Sequence, residues 1–103
     1  MRRVVVRPAA DRDLEEQAQY IARQGSTEAA LRFYQAAERT FALIVSHPEM
    51  GRLRHFRKPA LTGVRVFPIQ GFERHLTFYR RVTGGIEVLR VLHGARDVER
   101  VLE

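Results

Sequence analysis

The sequence has no cysteine and no tryptophan, and it has one lysine among eighteen basic residues. Without cysteine there is no disulfide, no thiolate catalysis and no thiolate zinc site. The four histidines lie at none of the short spacings typical of metal ligands. No apolar run approaches the roughly 20 residues that span a bilayer. We therefore expect a cytoplasmic protein with no metal, no cofactor and no membrane contact.

The composition is that of a folded globular chain with an uneven distribution of charge. Of the 103 residues, 45% are hydrophobic and 29% are charged, which predicts a single domain over residues 1–103. The net charge of +6 comes entirely from residues 51–103, because residues 1–50 hold seven arginines against seven acids. Such asymmetry favours an acidic or polyanionic partner for the C-terminal half. A merely solvated basic face is the alternative.

The first 24 residues predict a strand followed by a helix. Three consecutive valines near the N-terminus are β-branched and favour a strand within residues 1–7. Pro8 ends that strand and suits the first position of a helix, which Gly25 ends. Four residues at helical spacing are expected to form its buried stripe: Ala10, Leu14, Ala18 and Ile21.

A second helix follows directly and forms a hairpin with the first. Ser26 or Thr27 is expected to cap it, and His47 ends it because the residue before a proline avoids helical angles. Its apolar residues fall on one face: Ala30, Phe33, Ala37, Phe41 and Ile44.

The second half predicts a basic loop and then a small sheet. The loop covers residues 48–62, and a loop of about fifteen residues in a compact domain is more often functional than idle. Three strands with glycine-containing turns between them are expected to follow, in the order Gly63–Phe67, His75–Val82 and Ile86–His93. A short helix from Asp97 through Leu102 ends the chain. The fold class is therefore α+β: an N-terminal strand, a helical hairpin, a three-stranded antiparallel meander and a short C-terminal helix.

Several fragments, in order, resemble one family over nearly the whole chain. They are Asp13-Leu14, Tyr20-Ile21-Ala22, Ala29-Ala30 with Phe33, Leu43, Pro48, Gly51, Phe78-Tyr79-Arg80, and the run from Val88 to Asp97. At these spacings the chain resembles the RelE/ParE superfamily of bacterial toxins from type II toxin–antitoxin systems. It is closer to the ParE-like branch, also called plasmid-stabilisation toxins, than to the ribonuclease branch.

The resemblance implies a fold, a partner and a target. The fold is the RelE/ParE-like α+β domain. The partner is a cognate ParD-like antitoxin with a ribbon-helix-helix N-terminus and an amphipathic C-terminal segment. The target of ParE-like toxins is DNA gyrase, which they inhibit without supplying an acid–base group, so we expect no enzymatic activity. Two alternatives stay open: a RelE-like endoribonuclease that cleaves mRNA on the ribosome, and an inactive toxin-like binding domain.

The target-binding surface is expected among the basic residues of the C-terminal half. Its candidate members are Arg52, Arg54, Lys58, Arg65, Arg90 and Arg96. Strict alternation would place Arg90 on the apolar face of its strand with Ile86 and Val88. Arg90 is therefore either functional or a structural arginine paired with Asp97 or Glu73.

The ribonuclease alternative would use three of the same residues. By resemblance, Arg65 and Arg90 match phosphate-binding positions, and His93 matches a histidine that some ribonuclease members use for proton transfer. Members of that branch commonly carry an aromatic residue shortly after this histidine. Val98 stands at the comparable spacing here, which counts against RNA cleavage.

The antitoxin is expected to bury apolar surface that a protein this small leaves uncovered on its helical hairpin. The candidate contact residues are Tyr20, Phe33, Tyr34 and Ala37 on the helices and Phe67 on the sheet.

Overall fold

In the computed structural model, which describes residues 2–94 and 98–102, two helices lie against one side of a five-stranded sheet. The strands are β1 (Arg3–Val6), β2 (Arg52–Leu53), β3 (Arg65–Ile69), β4 (Phe72–Val82) and β5 (Gly85–His93), in the spatial order β1-β5-β4-β3-β2. The helices are α1 (Pro8–Gln24), α2 (Thr27–Ser46) and α3 (Val98–Leu102). The predicted α+β architecture is confirmed. No helix in these described ranges is long and apolar enough to cross a membrane.

The boundaries of the helical hairpin follow local sequence signals. Pro8 occupies the first turn of α1, and the N–H of Gly25 closes the last turn on the carbonyl of Ile21. The Ser26 side chain caps α2 by accepting a hydrogen bond from the N–H of Ala29 at 3.0 Å. The predicted hairpin is therefore confirmed, and β1 before it pairs in parallel with β5.

The second half forms the predicted antiparallel meander of β3, β4 and β5. Gly71 and Gly84 take φ angles of 88° and 82° in the two turns, a conformation that L side chains rarely adopt. The prediction of one uninterrupted loop over residues 48–62 is wrong in part. It contains β2, which pairs with β3, and a short 3₁₀ turn at Pro59–Leu61.

A bulge in β5 changes which side chains share a face. Phe78 of β4 pairs with Arg90, but the next residue of β4 pairs with Val88, so Leu89 is an extra residue in β5. Val88 and Val91 consequently both face the helices, while Leu89 faces the opposite side of the sheet. The predicted alternation, which grouped Arg90 with Val88 on one face, is wrong because one inserted residue reverses every later position.

Buried apolar side chains lie on both sides of the sheet. The larger cluster lies between the sheet and the two long helices and includes most of the predicted stripes, among them Ala10, Leu14, Ala18, Phe33, Ala37, Phe41 and Ile44. The smaller cluster lies on the opposite side, where α3 and the segment after β2 cover Val64, Val66, Phe78 and Leu89. Part of this opposite side is left uncovered, and it matters for function.

Candidate functional site

Arg90 is tied to the first helix by a two-pronged ion pair. Its Nε donates to Oδ2 of Asp13 at 2.7 Å and its Nη2 donates to Oδ1 at 2.8 Å. The Asp13 side chain is 9% exposed and that of Arg90 is 28% exposed. This hydrogen bonding raises the pKa of Arg90, so the guanidinium is held in its charged form.

The same part of α1 closes an open edge of β5. Strand β1 pairs with β5 only as far as Val88, so the later residues of β5 have no strand beside them on that edge. The N–H of Val91 donates to Oδ2 of Asp13 at 3.0 Å, and Nε2 of Gln17 donates to the Val91 carbonyl at 2.8 Å. Side chains one helical turn apart thus replace the missing strand.

The partner predicted for Arg90 is therefore wrong. Glu73 instead accepts a hydrogen bond from the N–H of Gly71, and Asp97, together with Arg96, lies outside the described residues. Asp13 and Gln17 were missed by the sequence analysis. Both fall on the buried stripe of α1, three and seven residues after Ala10. A polar residue on such a stripe signals a buried partner, although it does not say which one.

Arg65 is also engaged inside the protein. Its Nη1 donates to the carbonyl oxygens of Gly51 at 2.8 Å and Glu49 at 3.2 Å. The neighbouring Tyr79 hydroxyl accepts from the N–H of Gly51 at 2.9 Å and donates to the Pro48 carbonyl at 2.8 Å. The two side chains together fix the connection between α2 and β2, so Arg65 has a structural role.

Arg52 and Arg54 lie beside the uncovered part of the sheet, on the side opposite the two long helices. They border a shallow groove of about 280 Å³, which we call the basic groove; its lining is Arg52, Arg54, Val66, Phe67, Pro68 and Leu76. Arg52 is exposed. Arg54 lies 5.6 Å from the centroid of the Phe56 ring and makes a loose ion pair with Glu99 at 3.7 Å. The groove combines an apolar floor with two guanidinium groups at its rim.

The candidate cations do not form one continuous surface. Arg90 on β5 and Arg52 on β2 are three strand spacings apart, or roughly 14 Å. Lys58 is exposed in the segment that leads to the 3₁₀ turn. Among the candidates in the described ranges, Arg52 and Arg54 are the two that share one groove.

Charge is divided between the two layers of the fold. Helices α1 and α2 carry six acidic residues against four arginines, a net charge of −2. The chain as a whole carries +6, so the sheet and its connections carry +8. An acidic or polyanionic partner is therefore attracted to the sheet side rather than to the helices.

The predicted antitoxin residues separate into surface and core. Tyr20 and Tyr34 are 57% and 42% exposed on the helices. Phe33 is fully buried, so the prediction that it contacts a partner directly is wrong, and Phe67 is half-buried on the sheet. A second groove, which we call the hairpin groove, lies between the two helices and is lined by Leu14, Leu31, Tyr34, Gln35, Ala37, Glu38 and Phe41. Ala37 is 2% exposed and forms its floor.

His93 lies against a second histidine at the far end of the sheet. Its ring centroid is 4.7 Å from that of His75, whose Nδ1 is 2.7 Å from Oε1 of Gln17. Arg65 lies two strands away and four residues back along the sheet, on the order of 15 Å from His93. The residues proposed for RNA cleavage are therefore not brought together. Nowhere in the described ranges do three or more histidines and carboxylates come together as a metal ion would require.

We predict that His75 makes the fold sensitive to acid. Burial, with a smaller effect from His93, lowers the pKa of His75 from 6.5 to about 4. The unfolded chain takes up this proton at higher pH than the folded protein, so stability is lost as pH falls from 6.5 towards 4 and the effect levels off below that. The loss approaches roughly 3 kcal/mol, at about 1.4 kcal/mol per pKa unit. Urea denaturation at pH 7, 5.5 and 4 measures it, and His75→Gln should flatten the profile. Equal slopes in both proteins would contradict the assignment.

Comparison with known proteins agrees with this geometry. The family model described as the ParE toxin of the type II toxin–antitoxin system, parDE, matches residues 4–98. A solved structure described as the chromosomal ParDE TA system from P. aeruginosa is similar to the chain with a TM-score of 0.74 and 19% identity. The similarity covers 92% of this chain and 98% of that one. No curated protein sequence matches the chain at a significant level.

Proposed function

The chain belongs to the ParE toxin family of type II toxin–antitoxin systems, and we propose on that basis that it poisons DNA gyrase in the cytoplasm and is neutralised by a ParD-like antitoxin. The observation that carries the choice of target is the basic groove. It pairs two arginines with an apolar floor, on the layer of the fold that carries a net charge of +8. A gyrase–DNA complex offers acidic side chains and phosphates, both of which such a surface attracts.

Binding is sufficient for this activity. A toxin that holds gyrase in its DNA-cleaved state supplies contacts, while gyrase supplies the chemistry. The basic groove suits that role because Arg52 is exposed and Arg54 has only a loose surface ion pair to give up. Arg65 and Arg90 are poorer candidates, since their guanidinium groups are already hydrogen-bonded within the fold.

The antitoxin is proposed to dock on the other layer, in the hairpin groove. Leu31 and Tyr34 are exposed there, and Glu38 lies at the rim. An amphipathic helix that placed apolar side chains on Leu31 and Tyr34 would bury this surface. Its flanking residues should be basic rather than acidic, because the two long helices carry a net charge of −2.

RNA cleavage by the His93, Arg65 and Arg90 set is the weaker candidate. An acid–base pair must reach the same phosphate, within hydrogen-bond distance of the reacting atoms. Arg90 is held by Asp13, and Arg65 is on the order of 15 Å from His93 by strand spacing. These positions fit a binding protein better than a nuclease.

We therefore expect His93→Ala to remain toxic when expressed without antitoxin. The exposed His93 ring contributes one face-to-edge contact with His75 and no proposed target contact. Colony counts after induction measure this, with circular dichroism to confirm that the variant is folded. A folded His93→Ala protein that no longer kills would bring the nuclease back into consideration.

A gyrase assay with antitoxin-free protein tests the proposed function. Supercoiling and trapped double-strand breaks are scored on one gel, with heat-denatured toxin as the control for added basic protein. Accumulation of linear DNA that depends on gyrase is the expected result. If excess toxin leaves both activities unchanged, gyrase is not the target, and ribosome-dependent mRNA decay becomes the next measurement.

A further inference from the structure

The first strand has a free edge with hydrogen-bonding groups that point away from the sheet. The N–H of Arg3 donates to Gly84 and the N–H of Arg7 donates to Val88, both carbonyls on the β5 side. Backbone direction alternates along a strand, so Val5 also faces β5, while the N–H and C=O groups of Val4 and Val6 face outward. Over the described ranges, none of the turn, loop and side-chain hydrogen bonds reaches these four groups.

The other sheet edges are closed by their own sequences. On β3, the N–H of Arg54 donates to the Val64 carbonyl, so Val66 and Pro68 are the next residues to face outward. Val66 pairs with β2, and Pro68 has no N–H to offer an added strand. On β5, Val91 is satisfied by Asp13 and Gln17. Of the edges described, β1 is the one left able to accept a strand.

We propose that the outer edge of β1 binds an extended, acidic segment of the antitoxin as a sixth strand. This inference rests on the proposed neutralisation by an antitoxin and adds a second contact to the hairpin groove. Main-chain pairing with Val4 and Val6 supplies the attachment, as in other cases where a peptide extends a sheet. Helix α2 packs against β1, so a segment held there is continuous with the helical layer.

The charges around this edge select the sequence of the segment. Val4 and Val6 pack into the core beneath the helices, so Arg3, Val5 and Arg7 face the opposite side. Arg3 and Arg7 are exposed there, and Arg2 precedes them. The segment should therefore alternate, with apolar residues towards α2 and Asp or Glu opposite the arginines. Antiparallel pairing with a second copy of β1 would instead bring like charges together.

Amide hydrogen exchange, followed by NMR, tests the added strand at single residues. The toxin is measured alone and in complex with its co-expressed full-length antitoxin. We expect the Val4 and Val6 amides to exchange quickly in the free toxin and at least tenfold more slowly in the complex. The amides of Arg3 and Val5 donate to β5 and should be protected in both states.

A pair of variants measures the same contact by affinity. Val4→Pro removes an outward N–H that the native sheet does not use, and Val4→Ala removes similar packing but keeps the N–H. Val4→Pro should weaken antitoxin binding at least tenfold relative to Val4→Ala in calorimetric titration. The exchange experiment uses the native sequence, so it decides the question even if Val4→Pro does not fold.

Three results would overturn the inference, and they differ from one another. A complex that leaves Val4 and Val6 unprotected rejects the added strand but leaves antitoxin neutralisation intact. Failure of the antitoxin to bind at all rejects both the strand and the proposed neutralisation. Protection in the free toxin that grows with protein concentration would assign this edge to a second copy of the chain.

Discussion

Asp13→Ala is expected to destabilise the protein more than any other single truncation of a polar side chain that we consider. It leaves the Arg90 guanidinium partly buried without its carboxylate and the buried N–H of Val91 without an acceptor. Breaking a buried pair by removing one partner costs about 3 kcal/mol or more, and an orphaned buried N–H adds to that cost. Urea denaturation of the purified variant measures the change as a lower midpoint with an unchanged slope.

A matched control distinguishes this network from a general effect of removing an acid from α1. Asp11→Ala removes an exposed carboxylate from the first turn of the same helix and should cost less than about 1 kcal/mol. The double variant Asp13→Ala/Arg90→Met should recover part of the loss, because it removes the unpaired cation while the Val91 N–H remains orphaned. Equal stability of Asp13→Ala and Asp11→Ala would contradict the role assigned to Asp13.

The pair also changes how toxicity data should be interpreted. Charge reversal at Arg90 places a second carboxylate beside Asp13, so loss of killing would report unfolding as readily as a lost target contact. The same caution applies to Arg65, which holds the α2–β2 connection through two carbonyl groups. Neither residue is a clean probe of the target surface.

Local signals in the sequence were sufficient to predict the elements of the fold. Pro8, Gly25 and Ser26 each act within a few residues of their own position, and each marks a helix end in the structure as expected. The stripes of α1 and α2 likewise follow from helical spacing alone. Such signals need no knowledge of what lies across the molecule.

The site depended on pairings that no local pattern encodes. Asp13 and Arg90 are 77 positions apart, and their contact depends on where β1 stops beside β5. The bulge at Leu89 reverses the faces of the following residues, and nothing in an alternating apolar run announces one extra residue. For these reasons the six predicted cations could be named from the sequence but not sorted into structural and available ones.

Reversing both arginines of the basic groove is expected to have the largest effect on toxicity. Arg52→Glu/Arg54→Glu replaces attraction by repulsion at the proposed contact with the gyrase–DNA complex. If each reversal weakens binding roughly tenfold, the pair lowers affinity by about 100-fold, enough to restore growth at modest expression. Stability should change little, because the only ion pair lost is the loose one between Arg54 and Glu99. Colony survival and gyrase-dependent DNA breakage are the two measurements.

The control for this experiment must make the same change in net charge elsewhere on the surface. Arg32→Glu/Arg39→Glu reverses two exposed arginines of α2, on the layer opposite the basic groove. If both double variants lose toxicity alike, overall charge rather than the groove steers the toxin to its target. If the groove variant alone is harmless and still binds antitoxin with native affinity, target and antitoxin contacts lie on different layers. A folded groove variant that kills as well as the native protein would remove Arg52 and Arg54 from the target surface.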